Sequence, residues 1–476
     1  MTLGTILLCL IGGLLYRFLP PAWRGWALLI GSVVGVYAFQ PALPLPLVDF
    51  YLPSLILVLA LIGWWLTRPP EAEGMSRDDV ISLGVVAALP LGIALIGAID
   101  FLPRLSASPP PPFFNVIWSV VGIAVVGTAI SPLFQNGHSL NRLIPLYILG
   151  IIALFVVLKT EVLATALSAW LRAHADRPLM LAGAVDVGWL GFSYVAFRLI
   201  HTLRDRQTGR LPNLTLREYF TYLIFFPSYT AGPIDRAERF VKDYRAIGET
   251  PDAATTWLGL GRVAAGLLKK FVIADSLALV ALSPLIAERT THFGGAWLVL
   301  YAYAFRLYFD FSGYSDIAIG IGRLFGIQLP ENFNAPYLKS NITQFWQSWH
   351  MSLSTWARFY VFMPLSRMMI RFPRKSLVVL AAQVGTMLVI GLWHGISLNF
   401  VIWGIWHGVG LWVHKLYSDR TRDFYIALQE QPIKRRLVSL AGMFITFHFV
   451  VLGWVWFTLP KVSESVSFFG KLIGIV

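Results

Sequence analysis

The sequence predicts an all-α polytopic membrane protein, and two features of its composition support this fold class. Hydrophobic residues make up 57% of the chain and charged residues only 13%, which is about half the charged fraction of a soluble domain. The mean hydropathy is +0.66. Apolar runs that reach or approach the thickness of a bilayer recur along the chain. We therefore expect one bundle of roughly 11 to 13 transmembrane helices.

The candidate spans follow one another with polar or basic connections between them. In the first part of the chain they lie at 3–19, 25–41, 50–66, 80–98, 114–134 and 142–158. Further along they lie at 179–201, 255–285, 295–309, 312–327, 376–393, 399–417 and 438–458. Each run is apolar over about the length that the hydrocarbon core requires, so each is predicted to be a helix that crosses or nearly crosses the membrane.

The net charge of +13 lies mostly in short connections such as 201–210, 367–375 and 433–437. Lysine and arginine collect in cytoplasmic loops of membrane proteins, and no soluble domain is present to carry a nucleic-acid surface. We therefore expect contact with membrane lipid and no nucleic-acid partner. The single cysteine, Cys9, lies in the first apolar run, which excludes a disulfide within the chain and a thiolate metal site.

Polar side chains at membrane depth are concentrated after residue 180. They are Arg306, Asp310, Asp316, Arg323, Asn332, Asn334, His350, Arg358, His394, Asn399, His407 and His448. Such groups are costly in hydrocarbon and usually face a bundle interior or a water-filled cavity. The functional residues are therefore expected in this half, either around a reaction site or along the permeation path of a transporter or flippase.

Two stretches in this half are too polar or too broken to be ordinary spans. Residues 341–362, here called the polar segment, alternate glutamine, serine and arginine with tryptophan and phenylalanine. Residues 219–236 are interrupted by Pro227 and by Gly232-Pro233. Irregular or polar backbone at membrane depth is tolerated only where protein or a cavity surrounds it. Both stretches are predicted to be re-entrant or interfacial segments that line a pocket.

His394 and His407 lie in one of the most apolar parts of the chain. The apolar helix that ends near His394 starts near Ser376, directly after the basic connection 367–375, so His394 lies roughly 27 Å from that connection. If the connection is cytoplasmic, His394 lies beyond the midplane, towards the outer side of the membrane. Gly391 and Gly395 allow close approach. An imidazole there can accept the proton of a hydroxyl, although a buried histidine bonded to a backbone carbonyl fits the spacing equally well.

His407 is predicted to have a packing role, because it lies within a Gly-x-x-x-Gly pattern at 404–408 that is typical of closely packed membrane helices. A metal site is not predicted. The two histidines are thirteen residues apart, with no HExxH motif, paired cysteine or carboxylate beside them, whereas zinc requires three or four such ligands. A GxSxG nucleophile motif is absent as well.

Four blocks of the sequence carry a family resemblance: YFDFSGYSDIAIG (308–320), PENFNAPYL (330–338), FWQSWHMSLSTW (345–356) and GLWHGISLNFVIWGIWHG (391–408). These blocks resemble the membrane-bound O-acyltransferase (MBOAT) family. They are similar to its bacterial alginate O-acetyltransferase and teichoic acid D-alanyl transfer branches, and residues 225–240 and 266–278 extend the match. The resemblance covers about 185–415.

The resemblance implies an MBOAT-type helix bundle with re-entrant segments around a central funnel or tunnel. It divides one continuous bundle into N-terminal helices at 1–180, a catalytic core at 181–420 and a C-terminal loop and helix at 421–476. It also implies an O-acyltransferase in which His394 is catalytic and His350 is a second histidine of the pocket. The candidate tunnel-lining and oxyanion-binding residues are Asp316, Asn332, Asn334, Trp349, Ser352, Trp393 and Asn399.

The resemblance further implies that no cofactor is bound and that an acyl thioester, acetyl-CoA or an acyl carrier protein, is the co-substrate. The expected acceptor is a glycan outside a bacterial cytoplasmic membrane. The expected partner is an extracytoplasmic acyltransferase or a cytoplasmic carrier protein. Residues 330–338 and the chain length favour acetyl transfer, whereas 192–205 and 225–240 favour D-alanyl transfer. The family's GWVFFRA ending reads GWVWFTLPK at 453–461, without its arginine. We expect acetyl transfer, with D-alanyl transfer and a transporter as the alternatives.

Overall fold

The computed structural model describes residues 2–69, 74–99, 104–130, 137–248 and 252–475. Within these ranges the secondary structure is helical, and the single β-type pairing is an isolated antiparallel bridge between Phe333 and Trp349. The all-α prediction is confirmed. The end of the predicted span 114–134, from residue 131 onwards, lies outside the described residues.

The helices of the first half agree with most of the predicted spans to within a few residues. They are Leu3–Tyr16, Pro21–Phe39, Val48–Leu66, Arg77–Gly97, Phe113–Ile130, Gly137–Lys159 and Glu161–His174, followed by Phe192–Gln207, Leu216–Leu223 and Ala237–Arg245. The helix Arg77–Gly97 begins with a capping box, in which Ser76 and Asp79 bond each other's backbone N–H groups. This cap places the start of the helix in the polar connection that precedes the apolar run.

The second half contains longer helices and more interruptions. Its helices are Ala253–Leu267, Asp275–Ala278, Pro284–Arg289, Phe293–Leu324, Ile342–Trp346, Met351–Ala357, Met363–Met368, Lys375–His394, Leu398–Arg420, Arg422–Ala427, Pro432–Thr458 and Val462–Leu472. Two π-helical turns, Leu268–Ala274 and Arg358–Phe362, connect neighbouring helices. The polar segment is therefore a series of short helices, as expected for a stretch that is not an ordinary span.

Five of the described helices are long and apolar enough to cross a membrane: Pro21–Phe39, Val48–Leu66, Arg77–Gly97, Lys375–His394 and Pro432–Thr458. A sixth span arises if Leu143–Lys159 and Glu161–His174, which meet at a 90° bend, count as one. By length and composition the described residues thus contain fewer spans than the 11 to 13 predicted. Several predicted runs are shorter or less apolar helices.

The two predicted spans at 295–309 and 312–327 are wrong as separate helices, because the chain forms one 32-residue helix, Phe293–Leu324. No proline interrupts it. Gly313 lies within it, and a Cβ atom there would come within 2.8 Å of the carbonyl oxygen of Gly266. The glycine therefore serves close helix packing rather than a break.

The predicted span at 179–201 is also wrong in its first half. Residues 179–187 form two short 3₁₀ turns, and the helix starts only at Phe192, after Gly191 in the left-handed region at φ 77°. The turns are held by Asp186, which accepts hydrogen bonds from Arg172 Nη2 at 2.9 Å and from Ser168 Oγ at 2.5 Å. A buried ion pair thus ties these turns to the helix Glu161–His174.

The chain forms two compact units. One comprises Met1–Gly261 and Ala318–Leu329, and the other comprises Arg262–Ile317 and Pro330–Val476. These units do not coincide with the predicted segments 1–180, 181–420 and 421–476, and that division stays a prediction. Every candidate site residue predicted from the sequence lies in the second unit.

In the first unit, the predicted irregular stretch 219–236 is organised by one buried arginine. Arg198 is 1% exposed. Its guanidinium donates to the carbonyl oxygen of Leu223 at 2.9 Å and to Ser228 Oγ at 2.7 Å. Because the stretch lacks continuous helical bonding, the guanidinium supplies donors that the backbone carbonyls would otherwise lack.

The second unit is built around two antiparallel helices, Lys375–His394 and Leu398–Arg420, here called the histidine hairpin. Ser397 caps the second helix by accepting from the N–H of Phe400. Glycines allow the helices to touch: a Cβ atom on Gly404 would come within 2.8 Å of Met387 O, and one on Gly408 within 2.6 Å of Val384 Cα. The Gly-x-x-x-Gly pattern is therefore a packing face, as predicted.

Candidate active site

His394 is the last residue of its helix and lies at the turn of the histidine hairpin. Its half-buried imidazole is surrounded by aromatic rings. The ring centroids of Trp393 and Phe457 lie 4.5 and 4.7 Å away, and those of Phe400 and Trp403 lie 5.9 and 6.0 Å away. The aromatic rings limit access of water to a polar group that retains partial exposure, which suits an imidazole that exchanges a proton with a substrate.

His350 occupies an unusual backbone position immediately before the helix Met351–Ala357. Its φ and ψ angles, 45° and 54°, are left-handed, and its side chain is buried, with 3% exposure. The ring contacts Phe311 and Trp393, with centroids at 4.6 and 6.1 Å. Neither ring nitrogen has a hydrogen-bond partner among the described residues.

The two predicted catalytic histidines are therefore brought to the same indole. Trp393 is the residue before His394 in sequence and also contacts the ring of His350. The polar segment and the histidine hairpin, which are separate in sequence, meet at this point. This arrangement places one half-buried imidazole and one fully buried imidazole around a shared aromatic wall.

The predicted lining residues Asn332 and Ser352 bond each other rather than stand free. Ser352 donates to Asn332 Oδ1 from its hydroxyl at 2.6 Å and from its backbone N–H at 3.3 Å. Asn332 is completely buried and donates from Nδ2 to Ser315 Oγ at 3.2 Å. Their direct contacts are with the protein, at the start of the helix that follows His350.

The hydrogen bonds and ion pairs of Asp316 and Asn334 are also made with groups other than the two histidine rings. Asp316 accepts from Arg262 Nε at 2.5 Å and from Lys269 Nζ at 2.6 Å, so its carboxylate is held in an ion-pair cluster. The side chain of Asn334 is exposed, and its backbone N–H donates to Ser348 O at 3.0 Å. Their predicted roles as tunnel-lining residues stay predictions.

Trp349 and Asn399 support the same unit by packing and hydrogen bonding. Trp349 is 5% exposed and contacts Phe333 and Trp454, each with ring centroids 5.2 Å away. Asn399 donates from Nδ2 to Leu459 O at 2.6 Å and to Ser465 Oγ at 3.0 Å. These two bonds use both amide hydrogens, so Asn399 is not a free donor for an oxyanion.

His407 is enclosed by packing. It is completely buried, with the rings of Trp403 and Trp346 at 4.8 and 5.1 Å. Neither ring nitrogen has a hydrogen-bond partner among the described residues, and a Cβ atom on Gly453 would come within 2.8 Å of Nε2. Within the ranges described, no three His, Cys, Asp or Glu side chains are grouped so that they could hold a metal ion.

A cavity of about 150 Å³ lies beside the histidine hairpin. Its lining residues are Trp346, Ser354, Ala357, Arg358, Phe362, Gln383, Thr386, Met387, Ile390 and Leu411. Two buried polar atoms without a partner among the described residues belong to this lining, the acceptor Gln383 Oε1 and the donor Trp346 Nε1. Sequence reasoning missed Gln383. The signal was present, because it is the only amide side chain of Lys375–His394.

Comparison with known proteins identifies relatives. A model of the membrane-bound O-acyltransferase family, MBOAT, matches residues 144–453. The teichoic acid D-alanyltransferase of Streptococcus thermophilus is 35% identical over 288 residues, which cover 57% of this chain and 68% of that protein. The peptidoglycan O-acetyltransferase of Helicobacter pylori is 35% identical over 259 residues, covering 54% of this chain and 47% of that protein.

The probable alginate O-acetylase AlgI of Pseudomonas aeruginosa is 36% identical over 279 residues, covering 58% of this chain and 50% of that protein. The chain thus spans about half the length of these two acetylating relatives. The family match, with the apolar helices, makes the chain a multi-pass membrane protein.

Proposed function

The chain belongs to the membrane-bound O-acyltransferase family, as the sequence blocks predict, and we propose that it transfers an acetyl group to hydroxyls of an extracytoplasmic polysaccharide or cell-wall glycan. The donor is an acyl thioester on the cytoplasmic side, either acetyl-CoA or an acylated carrier protein. The observation that carries the proposal is His394, a half-buried imidazole at the end of an apolar helix, enclosed by four aromatic rings.

The chemistry requires one proton acceptor close to the acceptor hydroxyl. The hydroxyl oxygen attacks the thioester carbonyl, and a ring nitrogen of His394 takes the hydroxyl proton. The tetrahedral intermediate then collapses: the C–S bond breaks, the new C–O ester bond remains, and the proton passes from the imidazole to the leaving sulfur. The products are an ester on the glycan and a free thiol, and no further reactant is needed.

The negative oxygen of the tetrahedral intermediate needs hydrogen-bond donors. His350 is suited to this role, because its ring is buried and makes no hydrogen bond within the described residues. Its ring and that of His394 contact the same indole. We assign the oxyanion contact to a ring N–H of His350 in preference to Asn399, both of whose amide hydrogens are already bonded.

The cavity beside the histidine hairpin supports a donor that approaches from the cytoplasmic side. Its lining includes Gln383, Thr386, Met387 and Ile390, which recur at helical spacing along one face, and His394 continues that face one turn after Ile390. The opposite end of this helix follows the basic connection 367–375, the type of sequence that stays in the cytoplasm. A thioester arm in the cavity would point its acyl end towards His394.

D-alanyl transfer is the second candidate, because the D-alanyltransferase of Streptococcus thermophilus is matched over a larger share of its length than the two acetylating relatives. In either case we place the enzyme in a bacterial cytoplasmic membrane. An acetyl pathway would use an extracytoplasmic partner acyltransferase, and a D-alanyl pathway a cytoplasmic carrier protein. The identity of the ester distinguishes the two candidates.

The test is mass spectrometry of ester-linked groups on cell-envelope glycans, with native protein and His394→Ala at matched membrane abundance. We expect loss of the esters in the variant, and the mass of the lost group identifies acetyl or D-alanyl. His292→Ala is the matched control, because His292 is exposed at the start of Phe293–Leu324. Unchanged esters in His394→Ala would refute the mechanism and favour the transporter alternative.

A further inference from the structure

We infer that Asn332 is the positioning residue for His350: it caps the helix that follows His350 and so holds this histidine in its left-handed backbone conformation with its ring free for substrate. The inference rests on the proposed function, in which the ring of His350 contacts the reacting group. Asn332 itself acts through His350 and is not expected to touch substrate.

The first observation is the backbone of His350. A non-glycine residue at φ 45° and ψ 54° is in a sparsely populated region, and such residues persist only where the surrounding structure holds them there. His350 also occupies the N-cap position of Met351–Ala357, where serine, threonine, aspartate or asparagine would normally bond the first N–H groups of the helix. The His350 side chain makes no such bond.

Asn332 supplies the missing cap from another part of the chain. Its backbone carbonyl accepts the N–H of Met351 at 2.9 Å. Its side-chain Oδ1 accepts the N–H of Ser352 at 3.3 Å and the Ser352 hydroxyl at 2.6 Å. The two residues directly after His350 are therefore both bonded to Asn332. Because the cap comes from Asn332, the imidazole of His350 is not required for it.

The residues around Asn332 are fixed in turn. Nδ2 donates to Ser315 Oγ at 3.2 Å. The guanidinium of Arg262 donates to Asp316, the residue directly after Ser315, and to Glu331, the residue directly before Asn332. Arg262 therefore bonds to both of the chain segments that the Asn332–Ser315 hydrogen bond joins.

A second pairing fixes the other side of His350. Phe333 forms the isolated antiparallel bridge with Trp349, and the N–H of Asn334 donates to Ser348 O at 3.0 Å. The backbone before His350 and the backbone after it are thus both paired with residues 332–334. The ring of His350 itself makes no hydrogen bond among the residues described here.

The experiment compares Asn332→Ala in the native background and in a His350→Asn background. The measured quantity is the rate at which ester groups appear on cell-envelope glycans after induction, at matched membrane abundance. We expect Asn332→Ala to lower the rate about tenfold in the native protein and less than twofold when His350 is already replaced, because coupled residues are not additive. Asn213→Ala, at an exposed asparagine of the first unit, is the matched control.

Ser352→Ala is the milder variant for the case that Asn332→Ala does not reach the membrane. It removes the hydroxyl contact but keeps the backbone N–H bond to Asn332, so a smaller loss is expected with the same dependence on His350. Hydrogen exchange of the segment 348–354 is a second readout that needs no activity. Faster exchange in Asn332→Ala, confined to this segment, is expected.

Three results would overturn the inference. They are equal fold-losses in both backgrounds, an unchanged rate in His350→Asn alone, and unchanged exchange of 348–354 in Asn332→Ala. Failure of the proposed function is distinguishable, because His394→Ala would then leave the esters in place. If His394→Ala abolishes the esters while the losses at Asn332 and His350 are additive, only the positioning role is wrong.

Discussion

The indole of Trp393 lies edge-on to the imidazole of His394, with ring centroids 4.5 Å apart. The same indole lies 6.1 Å from the ring of His350. Because aromatic contacts of this kind contribute about 0.5–1.5 kcal/mol, Trp393 restricts the orientation of the ring that is proposed to take the substrate proton.

Replacement of Trp393 is therefore expected to slow the reaction. Trp393→Leu should lower the rate of ester formation by about three- to tenfold, and Trp393→Phe, which keeps an aromatic edge, by less. The measurement is the initial rate of ester appearance on envelope glycans at equal protein abundance. Native rates in Trp393→Leu would show that the indole does not orient His394.

His407→Leu is expected to keep the rate within about twofold and to leave the protein as stable as the native form or more stable. His407 is completely buried without a hydrogen-bond partner among the described residues, and an apolar group of similar size avoids the desolvation cost of two ring nitrogens. Thermal unfolding in detergent and ester formation check the two parts. Loss of esters in a stable His407→Leu protein would assign this histidine to the chemistry.

Gly408→Ala should destabilise the histidine hairpin. A Cβ atom there would come within 2.6 Å of the Val384 Cα atom, so one of the helices must shift, at a cost of about 1–3 kcal/mol. Gly261→Ala is the control, since Gly261 lies inside a helix and its Cβ would meet nothing within 4 Å. There, alanine should stabilise by up to about 1 kcal/mol. Equal unfolding midpoints for both variants would contradict the close packing.

Gln383→Leu should raise the apparent KM for the thioester donor several-fold with a smaller effect on kcat. Gln383 Oε1 is a buried acceptor in the cavity without a partner among the described residues, and it lies about 16 Å along the helix from His394, so its contact with the donor is remote from the reacting carbon. Gln429→Leu, at an exposed position, is the control. A pure kcat effect would place Gln383 nearer the chemistry.

The Asp186–Arg172 ion pair predicts a pH dependence of stability. Hydrogen bonding from Arg172 holds the pKa of Asp186 below its usual range. Because the pKa of Asp186 is lower in the folded state, its ionisation stabilises the protein when the pH is above the unfolded-state pKa, near 3.9. This stabilisation is lost as the pH falls through the folded-state pKa. The unfolding midpoint of native protein should exceed that of Asp186→Asn near neutral pH. This difference should shrink below about pH 4. A constant difference would exclude the ion pair as its cause.

Sequence patterns predicted the helix class, the packing face at Gly404 and Gly408, and the irregular character of the polar segment, because each depends on neighbouring residues along the chain. Sequence patterns were less successful at helix boundaries that involve contacts between residues distant in sequence. The 3₁₀ turn that precedes the helix at Phe192 is tied to the preceding helix by the ion pair between Asp186 and Arg172, and no local pattern records a partner 14 residues away.

Contiguous residues carry the helical membrane class, through apolar runs, and the resemblance to the O-acyltransferase family, through local motifs. That resemblance is what implies His394 and His350 as candidate catalytic residues. Contacts between residues that are distant in sequence show which polar groups are bonded to the protein and which are not. Asn332, Asn399 and His350 are similarly buried. The side-chain amides of the two asparagines make hydrogen bonds, whereas the ring of His350 makes none among the described residues. A hydrogen bond depends on distance and angle between groups that lie far apart in sequence.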